Sequence, residues 1–425
     1  MVSQVSRGSD LNDKLAALQR RAQSFRRAER SYIPSEMSYL ILVPTLRCNL
    51  ACSYCQVSRV AEKASGFDWN EETLNAVLGF IQNSKVSRLK VEFQGGEPLL
   101  ALPLLQRVRD FCRSNIAEVE FVICTNLQSV SQDSFEFLSH EDVTISTSFD
   151  GTQDIHRKQR MSSDEEMQGF LGNVRRLLTK FGPNKLSALP TLDPECLPRA
   201  DELLDSYLEW GMNSVFLRPV ANYGFARKVH EAEIISKDWY QFHREVVDEM
   251  IQRNFQRGTC FEDYYLSLCL RRMLRSDING HVDLRNPNLL GKDYIVIDYD
   301  GTFYPTDEAR MLTRTGQIDL SIGHVSGGID QSKLNTLNAN SSNFGDPDCD
   351  SCRHQVYCGR DVIDDLSRYS RIDLPRSETE FCKRHKYMFG LVEDLLQSPA
   401  PAVHHSLALW AGIPEWDSVL SKAVQ

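Results

Sequence analysis

Residues 39–55 read YLILVPTLRCNLACSYC, an apolar run followed by a loop with three cysteines. The run at residues 39–43 predicts a buried β-strand. Cys48, Cys52 and Cys55 follow it with the spacing C-x3-C-x2-C. Three thiolates on one short loop can hold three irons of a [4Fe-4S] cluster and leave the fourth iron open to a chelating cofactor. A disulfide would need an even number of cysteines here, and a structural zinc site would need a fourth ligand.

Tyr54 precedes the third cysteine and places an aromatic ring beside the predicted cluster. The pattern CxxxCx(aromatic)C is similar to the signature of the radical S-adenosylmethionine (SAM) enzymes. The resemblance implies that the three thiolates bind a [4Fe-4S] cluster whose open iron is chelated by the amine and carboxylate of SAM. It also implies an α/β fold, a partial (β/α)6 TIM-like barrel.

The chain has 425 residues and a formal net charge of −10. This length permits a large core and more than one domain, and the acidic balance argues against nucleic acid as a partner. Twelve cysteines are too few for a secreted disulfide scaffold of this length, and six of them lie in two tight clusters typical of reduced, intracellular proteins. Because no signal-like segment and no run of about eighteen apolar residues is present, we predict a soluble cytoplasmic protein without a membrane partner.

Short β-rich runs alternate with amphipathic patterns between residues 39 and 255, which predicts six βα units and a parallel sheet. The predicted strands are 39–43, 89–94, 120–124, 143–148, 186–191 and 214–218, and the predicted helices are 70–83, 100–115, 134–138, 164–181 and 198–210. The expected domains are a charged helical N-terminal extension (1–36), the barrel (37–257), a helical connector (258–290), an auxiliary-cluster domain (291–395) and a C-terminal tail (396–425). The extension is either a solvated or loosely packed helix or a docking element for a partner or peptide.

Polar motifs follow the predicted strands, at the strand ends that carry chemistry in closed barrels. They are Gln94-Gly95-Gly96-Glu97-Pro98, Thr125-Asn126, Ser148 and Asp150 with Arg160 downstream, and Arg218. The resemblance implies that the first motif binds the amino group of SAM. It also implies that Ser148 and Asp150 meet the ribose or the substrate, and that Arg160 meets its carboxylate. Each residue taken singly is equally compatible with a strand-end turn, and Arg218 with a strand cap. Cys112, Cys124 and Cys196 are expected to be small buried hydrophobes.

A second set of cysteines lies in the C-terminal part of the chain. Cys349, Cys352 and Cys358 have the spacing C-x2-C-x5-C, and Cys382 follows. Four thiolates can close a metal site, so a structural zinc ion is an alternative to an iron–sulfur cluster. Behind a radical SAM core, the pattern resembles a SPASM domain, the C-terminal module that carries auxiliary [4Fe-4S] clusters. The resemblance implies that these four cysteines hold one such cluster.

The chain departs from the SPASM pattern at the ligands of the other auxiliary cluster. Residues 298–307 reproduce the hairpin of that pattern, but Thr306 stands where a cysteine is expected. Residues 286–292 contain no cysteine, and position 362 is Val. We therefore expect two clusters in total, one that binds SAM and one auxiliary, and a metal-binding role for Cys260 or Cys269 stays open.

Asp307 follows Thr306 and aligns with the position of the general base in sulfatase-maturing relatives. Its alternative role is to satisfy backbone groups at the end of the hairpin. The segments around Cys55 and Gly95-Gly96 look like those of maturases in His-Xaa-Ser peptide systems. This resemblance implies reductive cleavage of SAM to a 5′-deoxyadenosyl radical, hydrogen abstraction from a ribosomally synthesised precursor peptide or protein, and oxidative formation of a side-chain crosslink. An external one-electron reductant of the flavodoxin or ferredoxin type would supply the electron.

Two other functions are considered. A formylglycine-type sulfatase maturase would oxidise Cys or Ser on a protein, and the missing ligands of the second auxiliary cluster count against it. A zinc-stabilised binding protein without redox chemistry belongs to a different class, and iron and sulfide analysis separates it from the other two.

Overall fold

The apolar run at the start of the cysteine loop forms the central strand of a nine-stranded sheet. The computed structural model describes residues 2–29, 36–161, 163–221, 223–228, 237–276 and 281–412. The strands are β1 (Tyr39–Leu42), β2 (Arg47–Cys48), β3 (Val60–Ala61), β4 (Arg88–Phe93), β5 (Glu118–Thr125), β6 (Val143–Ser148), β7 (Leu186–Leu189), β8 (Ser214–Val215), β9 (Glu262–Asp263), β10 (Tyr294–Ile297), β11 (Thr302–Tyr304), β12 (Gly323–His324) and β13 (Gly328–Ile329).

Helices cover the sheet and form most of the C-terminal part. They are α1 (Val2–Glu29), α2 (Glu71–Ser84), α3 (Leu102–Asn115), α4 (Gln132–Leu138), α5 (Gln153–Arg160), α6 (Asp164–Phe181), α7 (Ala200–Glu209), α8 (Lys237–Arg257), α9 (Tyr264–Leu274), α10 (Asp307–Arg314), α11 (Gln331–Asn338), α12 (Pro347–Asp350), α13 (Val362–Tyr369), α14 (Glu380–Gln397) and α15 (Pro401–Ala411). None of the helices within the described ranges is both long enough and apolar enough to cross a bilayer.

The sheet has the order β13-β12-β11-β10-β1-β4-β5-β6-β7. The six strands from β10 to β7 in this order are parallel, and β11, β12 and β13 extend one edge in antiparallel fashion. Parallel strands need crossover connections, and the helices between them provide these connections. The predicted α/β fold with a parallel sheet is confirmed.

Local signals explain the boundaries of the helices. Asn70 accepts a hydrogen bond from the backbone N–H of Thr73 and so caps α2, and Ser163 caps α6 through the N–H of Glu166. Both helices turn an apolar stripe inward, with Leu74, Val77 and Ile81 buried on α2. The predicted helices therefore begin and end within about two residues of the observed ones, as expected for boundaries set by caps.

The sixth predicted strand, 214–218, is shorter than expected and lies outside the main sheet. β8 spans two residues and pairs with β9, whereas an isolated parallel bridge between Leu192 and Pro219 joins this segment to the sheet edge beyond β7. Pro219 has no backbone N–H and cannot extend a ladder of hydrogen bonds with the edge strand. The barrel is therefore open on this side.

The other side of the barrel is extended by a strand from the C-terminal part, β10. Its four residues are all buried, and it pairs with β1 in the register Tyr39 to Tyr294. The predicted boundary at residue 291 thus separates segments that share one sheet, and the domain limits stay predictions. Residues 413–425 of the predicted tail lie outside the described residues.

The N-terminal helix packs on the protein through its second half. Leu15 and Ala22 are buried, and Arg26 is almost fully buried with Nη2 3.5 Å from the backbone oxygen of Arg275 just beyond α9. The structure presents this extension as a helix docked on α9 of its own chain, and a docking role for a partner or peptide stays a prediction. Residues 30–35, which follow it, lie outside the described residues.

The turn after β4 holds the cysteine loop through its backbone. The N–H of Gly96 donates to the oxygen of Thr45 at 3.0 Å, and the N–H of Glu97 donates to the oxygen of Arg47 at 2.7 Å. A Cβ atom at Gly95 or Gly96 would lie 2.2 Å from one of these two carbonyl oxygens. Contact with the segment that leads into Cys48 therefore requires glycine at both positions.

We expect Gly96→Ala to lower the free energy of unfolding by about 2–3 kcal/mol, because the added methyl group collides with backbone that cannot move aside. Gly172→Ala is the matched control, since a Cβ at Gly172 meets nothing within 4 Å and the site lies inside α6. This control should be neutral or slightly stabilising. Chemical denaturation of both variants measures the effect, and equal stability of G96A and wild type would contradict the contact.

Candidate active site

A cavity of about 580 Å³ opens at the C-terminal ends of β4, β5 and β6. Parallel strands present their carboxyl ends at one edge of the sheet, so residues distant in sequence meet there. Most predicted site residues line this cavity: Cys48, Cys52, Tyr54, Cys55, Gln94, Gly95, Gly96, Thr125, Asn126, Ser148, Arg160, Arg218 and Asp307. Helices α8, α9, α10 and α14 supply the remaining wall.

The cysteine loop receives polar contacts from two strand ends. The thiol of Cys48 accepts hydrogen bonds from the N–H of Leu50 at 3.4 Å and from Nδ2 of Asn126 at 3.7 Å. The thiol of Cys52 lies 3.9 Å from a guanidinium nitrogen of Arg160. Burial raises the pKa of Cys48 to about 12 and also raises the pKa of Cys52, although the charge of Arg160 opposes the latter shift. Thiolate ligands must lose these protons, so metal binding at this loop releases protons.

Asp150 anchors the cysteine loop through hydrogen bonds of its carboxylate. Its carboxylate is fully buried and accepts from the phenol of Tyr54 and from Nε of Arg160, at 2.8 Å in the second case. Its other oxygen accepts from the N–H of Thr191 at 3.0 Å. The guanidinium of Arg160 also lies 5.1 Å from the centre of the Tyr54 ring, which adds a cation–π contact. Asp150 thus ties β6 and α5 to the cysteine loop.

This arrangement places Asp150 behind the cavity wall. The predicted direct contact of Asp150 with a ribose or a substrate is not what the structure presents, because both carboxylate oxygens are used inside the protein. His156 contributes to the same cluster, since its Nδ1 accepts from the N–H of Asp150 at 3.2 Å. Burial lowers the pKa of His156 to about 3, so the ring is neutral. Arg160 and Tyr54 are the members that face the cavity.

Glu97 and Pro98 also lie behind the lining. The Glu97 carboxylate is buried and accepts from Thr125 Oγ1 at 2.8 Å, from the N–H of Asn126 at 2.8 Å and from the N–H of Leu99 at 3.1 Å. Its carboxylate therefore accepts from β5 and from its own turn, and its predicted contact with the cofactor stays a prediction. Burial raises the pKa of Glu97 to about 7, against the opposing effect of these three donors.

Three further predicted residues are placed in the wall with partners. Gln94 donates from Nε2 to Glu92 at 2.8 Å, and Arg218 donates from Nε to the oxygen of Pro190 at 3.3 Å. Burial lowers the pKa of Arg218. Ser148 ends β6 and lines the cavity. Arg218 thus lines the cavity and also contacts the segment that follows β7, and its contact with SAM stays a prediction.

The cavity floor contains polar residues that were not predicted as site residues. Glu92 accepts from the phenol of Tyr39 and from the thiol of Cys124 at 3.2 Å. Cys124 is half-buried and lines the cavity, so its expected role as a buried hydrophobe is wrong, and Cys196 is exposed; Cys112 is buried as expected. The sequence signal was the polar Glu92 inside an otherwise regular strand, on the face opposite the buried Val91 and Phe93.

Asp307 faces the cavity from the C-terminal part, next to Glu308. Burial raises the pKa of Glu308, and the charge of Asp307 and a hydrogen bond with it raise the pKa further. Thr306 accepts from the N–H of Ala309 at 2.9 Å and caps α10. The first turn of this helix therefore presents two adjacent carboxyl groups to the cavity.

Thr306 and Val362 stand at positions where the SPASM resemblance leads us to expect cysteine ligands, and both have structural roles in the fold. Thr306 caps α10, as described, and is buried. Val362 packs in a small apolar cluster with Leu290, Ala309 and Met311. These side chains fill the space between α10 and α13 with hydrocarbon, which offers no donor to a metal.

The four C-terminal cysteines approach one another behind the cavity. After burial, the charges of Cys382, Cys349 and Cys352 are the next causes that raise the pKa of Cys358, to about 12. Thiols are the soft donors that iron–sulfur clusters and zinc ions take. Across the described ranges, no three His, Cys, Asp or Glu side chains are grouped so that they would ligate one metal ion. Cys269 is buried near Cys358, and Cys260 is exposed.

Comparison with known proteins identifies the domain that carries the cysteine loop. Residues 42–217 match the model of the Radical SAM superfamily. These residues therefore form a radical SAM domain. It is 30% identical over 184 residues to an uncharacterized protein of Methanocaldococcus jannaschii, covering 42% of this chain and 61% of that protein. It is 25% identical over 153 residues to a cysteine-type anaerobic sulfatase-maturating enzyme of Clostridium novyi, covering 34% and 39%.

Solved structures agree on the fold over a longer part of the chain. The structure of anSMEcpe with bound AdoMet aligns with a TM-score of 0.65 at 17% identity, covering 84% of this chain and 97% of that one. The structure of Streptococcus suis SuiB bound to the precursor peptide SuiA aligns with a TM-score of 0.54 at 13% identity, covering 80% and 76%. The chain spans about three-fifths of the length of the first curated relatives, whereas these structures are matched over three-quarters or more.

Glu97 predicts a pH dependence of stability. Its folded pKa of about 7 lies above its ordinary value of 4.5, so the folded state retains this proton longer than the unfolded state. The free energy of unfolding should therefore fall by about 3 kcal/mol as the pH rises from about 4.5 to about 7, and then level off. In Glu97→Gln this component should vanish, although overall stability is lower because an amide cannot accept from all three donors.

Denaturation at a series of pH values gives the free energy of unfolding as a function of pH. The contribution of Glu97 is the difference between the slopes of this function for wild type and E97Q. The exposed Glu72 of α2 offers the control Glu72→Gln, which makes the same charge change at the surface. An E97Q slope equal to that of wild type and of E72Q would refute the assignment.

Proposed function

We propose that the chain is a radical SAM peptide maturase that forms a side-chain crosslink. The observation that carries the proposal is that one cavity is lined by the three-cysteine loop, by the polar ends of three parallel strands and by Asp307 from the C-terminal part. A cluster and cofactor held on the strand side would thus face a substrate bound against the C-terminal side. The solved structures of similar fold include SuiB with a precursor peptide and anSMEcpe with the Cp18Cys peptide, which supports a peptide as the substrate class.

Cys48, Cys52 and Cys55 would hold the SAM-binding [4Fe-4S] cluster, and this group with SAM would supply the 5′-deoxyadenosyl radical. Asn126 and Arg160 contact two of these thiols and would set their hydrogen bonding. The backbone of Gly95 and Gly96 forms the adjacent wall and would border the amino group of SAM. Ser148 and Arg218 would meet the remaining polar groups of the cofactor.

Asp307 would accept the proton that the substrate loses when its radical is oxidised. Its position at the first turn of α10, in the lining of the same cavity as the cysteine loop, supports this role. Cys349, Cys352, Cys358 and Cys382 would hold the auxiliary [4Fe-4S] cluster that takes the electron, with an external flavodoxin- or ferredoxin-type protein as the source of reducing electrons for catalysis. The bond formed would be a cyclophane-like carbon–carbon or carbon–heteroatom crosslink.

A formylglycine-type sulfatase maturase is the second candidate. Sequence similarity to cysteine-type anaerobic sulfatase-maturating enzymes and the fold shared with anSMEcpe favour it. The use of Thr306 as a helix cap and of Val362 in an apolar cluster counts against it, because these are two of the positions where the resemblance leads us to expect ligands of a further cluster. Mass spectrometry of a coexpressed peptide separates the two: a crosslink removes two hydrogens only, whereas thiol-to-aldehyde conversion removes two hydrogens and also replaces sulfur by oxygen.

We expect the variant with Cys48, Cys52 and Cys55 all changed to Ala to form no 5′-deoxyadenosine from SAM after anaerobic reconstitution. Chromatography of the reaction with dithionite as reductant measures this product. The iron content should fall from about eight to about four per chain, because the C-terminal cysteines are intact. Ala at Cys196, an exposed cysteine away from both sets, is the control. Persistent 5′-deoxyadenosine formation in the triple variant would sink the proposal, and zinc in place of iron would favour a binding protein.

Asp307→Asn should separate radical formation from product formation. Because the amide cannot accept the proton, we expect about a 100-fold slower appearance of modified peptide, with 5′-deoxyadenosine still formed from SAM. Both products are quantified by mass spectrometry in the same reaction. Asp319→Asn, at an exposed carboxylate beside Lys333 and outside the cavity lining, provides the control. If D307N modifies the peptide at the rate of wild type, Asp307 is not the acceptor.

A further inference from the structure

Two tyrosines line the cavity with buried rings and with hydroxyl groups that have no protein partner in the described ranges. Tyr223, in the segment after β8, is 8% exposed, and Tyr294 of β10 is 4% exposed. Both line the cavity, and neither hydroxyl forms a hydrogen bond with a residue that the structure describes. A buried phenol normally has a partner for its O–H group. These two hydroxyls therefore point to a polar group of a ligand in the cavity.

Two carboxyl groups lie beside these tyrosines. Burial raises the pKa of Tyr223 and of Tyr294, and the charges of Glu308 and Asp361 are among those that raise both values further. Glu308 lies in the first turn of α10, and Asp361 is the N-cap of α13. Both acidic residues line the same cavity. Four polar side chains from four separate segments thus share one part of the cavity wall.

These two carboxyl groups differ from their neighbours in having no cationic partner in the protein. No ion pair between described residues includes Glu308 or Asp361. The adjacent Asp364, by contrast, pairs with Arg368 at 3.2 Å. Asp361 caps α13 through Oδ1, which accepts from the N–H groups of Ile363 at 2.8 Å and Asp364 at 3.1 Å. Its Oδ2 therefore remains as an acceptor for a group in the cavity.

The electrostatics of the two carboxyl groups agree with this geometry. Burial raises the pKa of Asp361 to about 7, and the charges of Asp364 and Asp283 add to the shift. Burial likewise raises the pKa of Glu308. Burial disfavours the charged form of a carboxyl group unless a nearby cation compensates for the lost hydration. A cation bound between the two groups would stabilise both carboxylates and would form charge-assisted hydrogen bonds with them.

We propose that a lysine or arginine side chain of the substrate peptide binds in this part of the cavity, at a cation subsite formed by Tyr223, Tyr294, Glu308 and Asp361. The inference rests on the proposed function, which supplies a peptide as the substrate class, and it names one side chain that this peptide carries. The carboxylates accept from the N–H groups of the cation. Each phenol donates to a carboxylate while its oxygen accepts from the cation. Met311, one turn after Glu308, lines the same cavity and packs against the methylene stem of the bound side chain.

A side-chain cation fits this subsite better than a metal ion does. Within the ranges that the structure describes, no three His, Cys, Asp or Glu side chains are grouped to ligate one metal ion. An ammonium or guanidinium group needs only a few oxygen acceptors, because each of its N–H groups takes one. Glu308 directly follows Asp307, the proposed proton acceptor, in the first turn of α10. A cationic side chain held by Glu308 would therefore position the neighbouring peptide residues beside Asp307.

Binding of small probes to the full chain tests the cation subsite without turnover. The probes are the Nα-acetyl methylamides of lysine, of arginine and of norleucine, an uncharged analogue that lacks the ammonium group of lysine. Each is titrated into the anaerobically reconstituted protein with SAM, and saturation-transfer nuclear magnetic resonance gives the Kd. We expect the lysine or the arginine probe to bind at least about tenfold more tightly than the norleucine probe. The tighter of the two cationic probes identifies the side chain, and equal Kd values for all three overturn the subsite.

Variants that keep the shape of the wall assign the preference to these residues. Glu308→Gln and Asp361→Asn should each weaken binding of the cationic probe about tenfold and leave the Kd of the norleucine probe unchanged. Asn also serves as an N-cap, so D361N should retain α13. Tyr223→Phe keeps the ring and should weaken the cationic probe about threefold through loss of the hydroxyl. A Kd of the cationic probe equal to that of wild type in both E308Q and D361N refutes the subsite.

Controls separate the subsite from general charge effects and from the proposed function. Asp319→Asn removes an exposed carboxylate outside the cavity lining and should bind all three probes as wild type does. If one of the four cavity variants unfolds in a thermal melt, the remaining ones decide, with Tyr294→Phe as the fourth. A wild type that prefers the cationic probe but forms no 5′-deoxyadenosine retains the subsite and loses the proposed function. A wild type that forms modified peptide but shows no such preference retains the function and loses the subsite.

Discussion

The buried carboxylate of Asp150 is the constraint on which the candidate site depends. A fully buried charge is costly unless it is paired and hydrogen-bonded, and here the guanidinium of Arg160, the phenol of Tyr54 and a backbone N–H satisfy it. Because these partners come from the cysteine loop, α5 and the segment after β7, the carboxylate can be satisfied in one arrangement of the three. The position of the cysteine loop follows from that arrangement.

The glycine turn after β4 also fixes the position of the cysteine loop. Its backbone hydrogen bonds to Thr45 and Arg47 hold the start of the loop, while Asp150 holds its end near Tyr54. Glu97 extends the connection to β5 through Thr125 and Asn126, and Asn126 reaches Cys48. The thiols are thus positioned by hydrogen bonds from three neighbouring strand ends. Such outer contacts orient metal ligands and adjust their basicity.

The C-terminal part completes the cavity and is joined to the barrel by a shared sheet. β10 pairs with β1, so the helix that carries Asp307 is held at a defined place in the cavity wall. On the helical side, Asp263, His243 and Tyr387 link α8, α9 and α14 by hydrogen bonds. The cavity therefore combines a cysteine-lined wall, a wall that carries Asp307 and Glu308, and a helical wall.

Spacing and periodicity in the sequence determined the class of the protein: the C-x3-C-x2-C loop after an apolar strand, the alternation of strands and helices, and the C-terminal cysteine set. These are local patterns, because ligand spacing and helix caps depend on neighbours along the chain. Only the tertiary structure decided that Glu97 and Asp150 support the site from behind, that Cys124 faces the cavity, and that β10 closes on β1. The reason is physical: which side of a wall a polar side chain occupies depends on long-range partners, and sequence spacing does not record them.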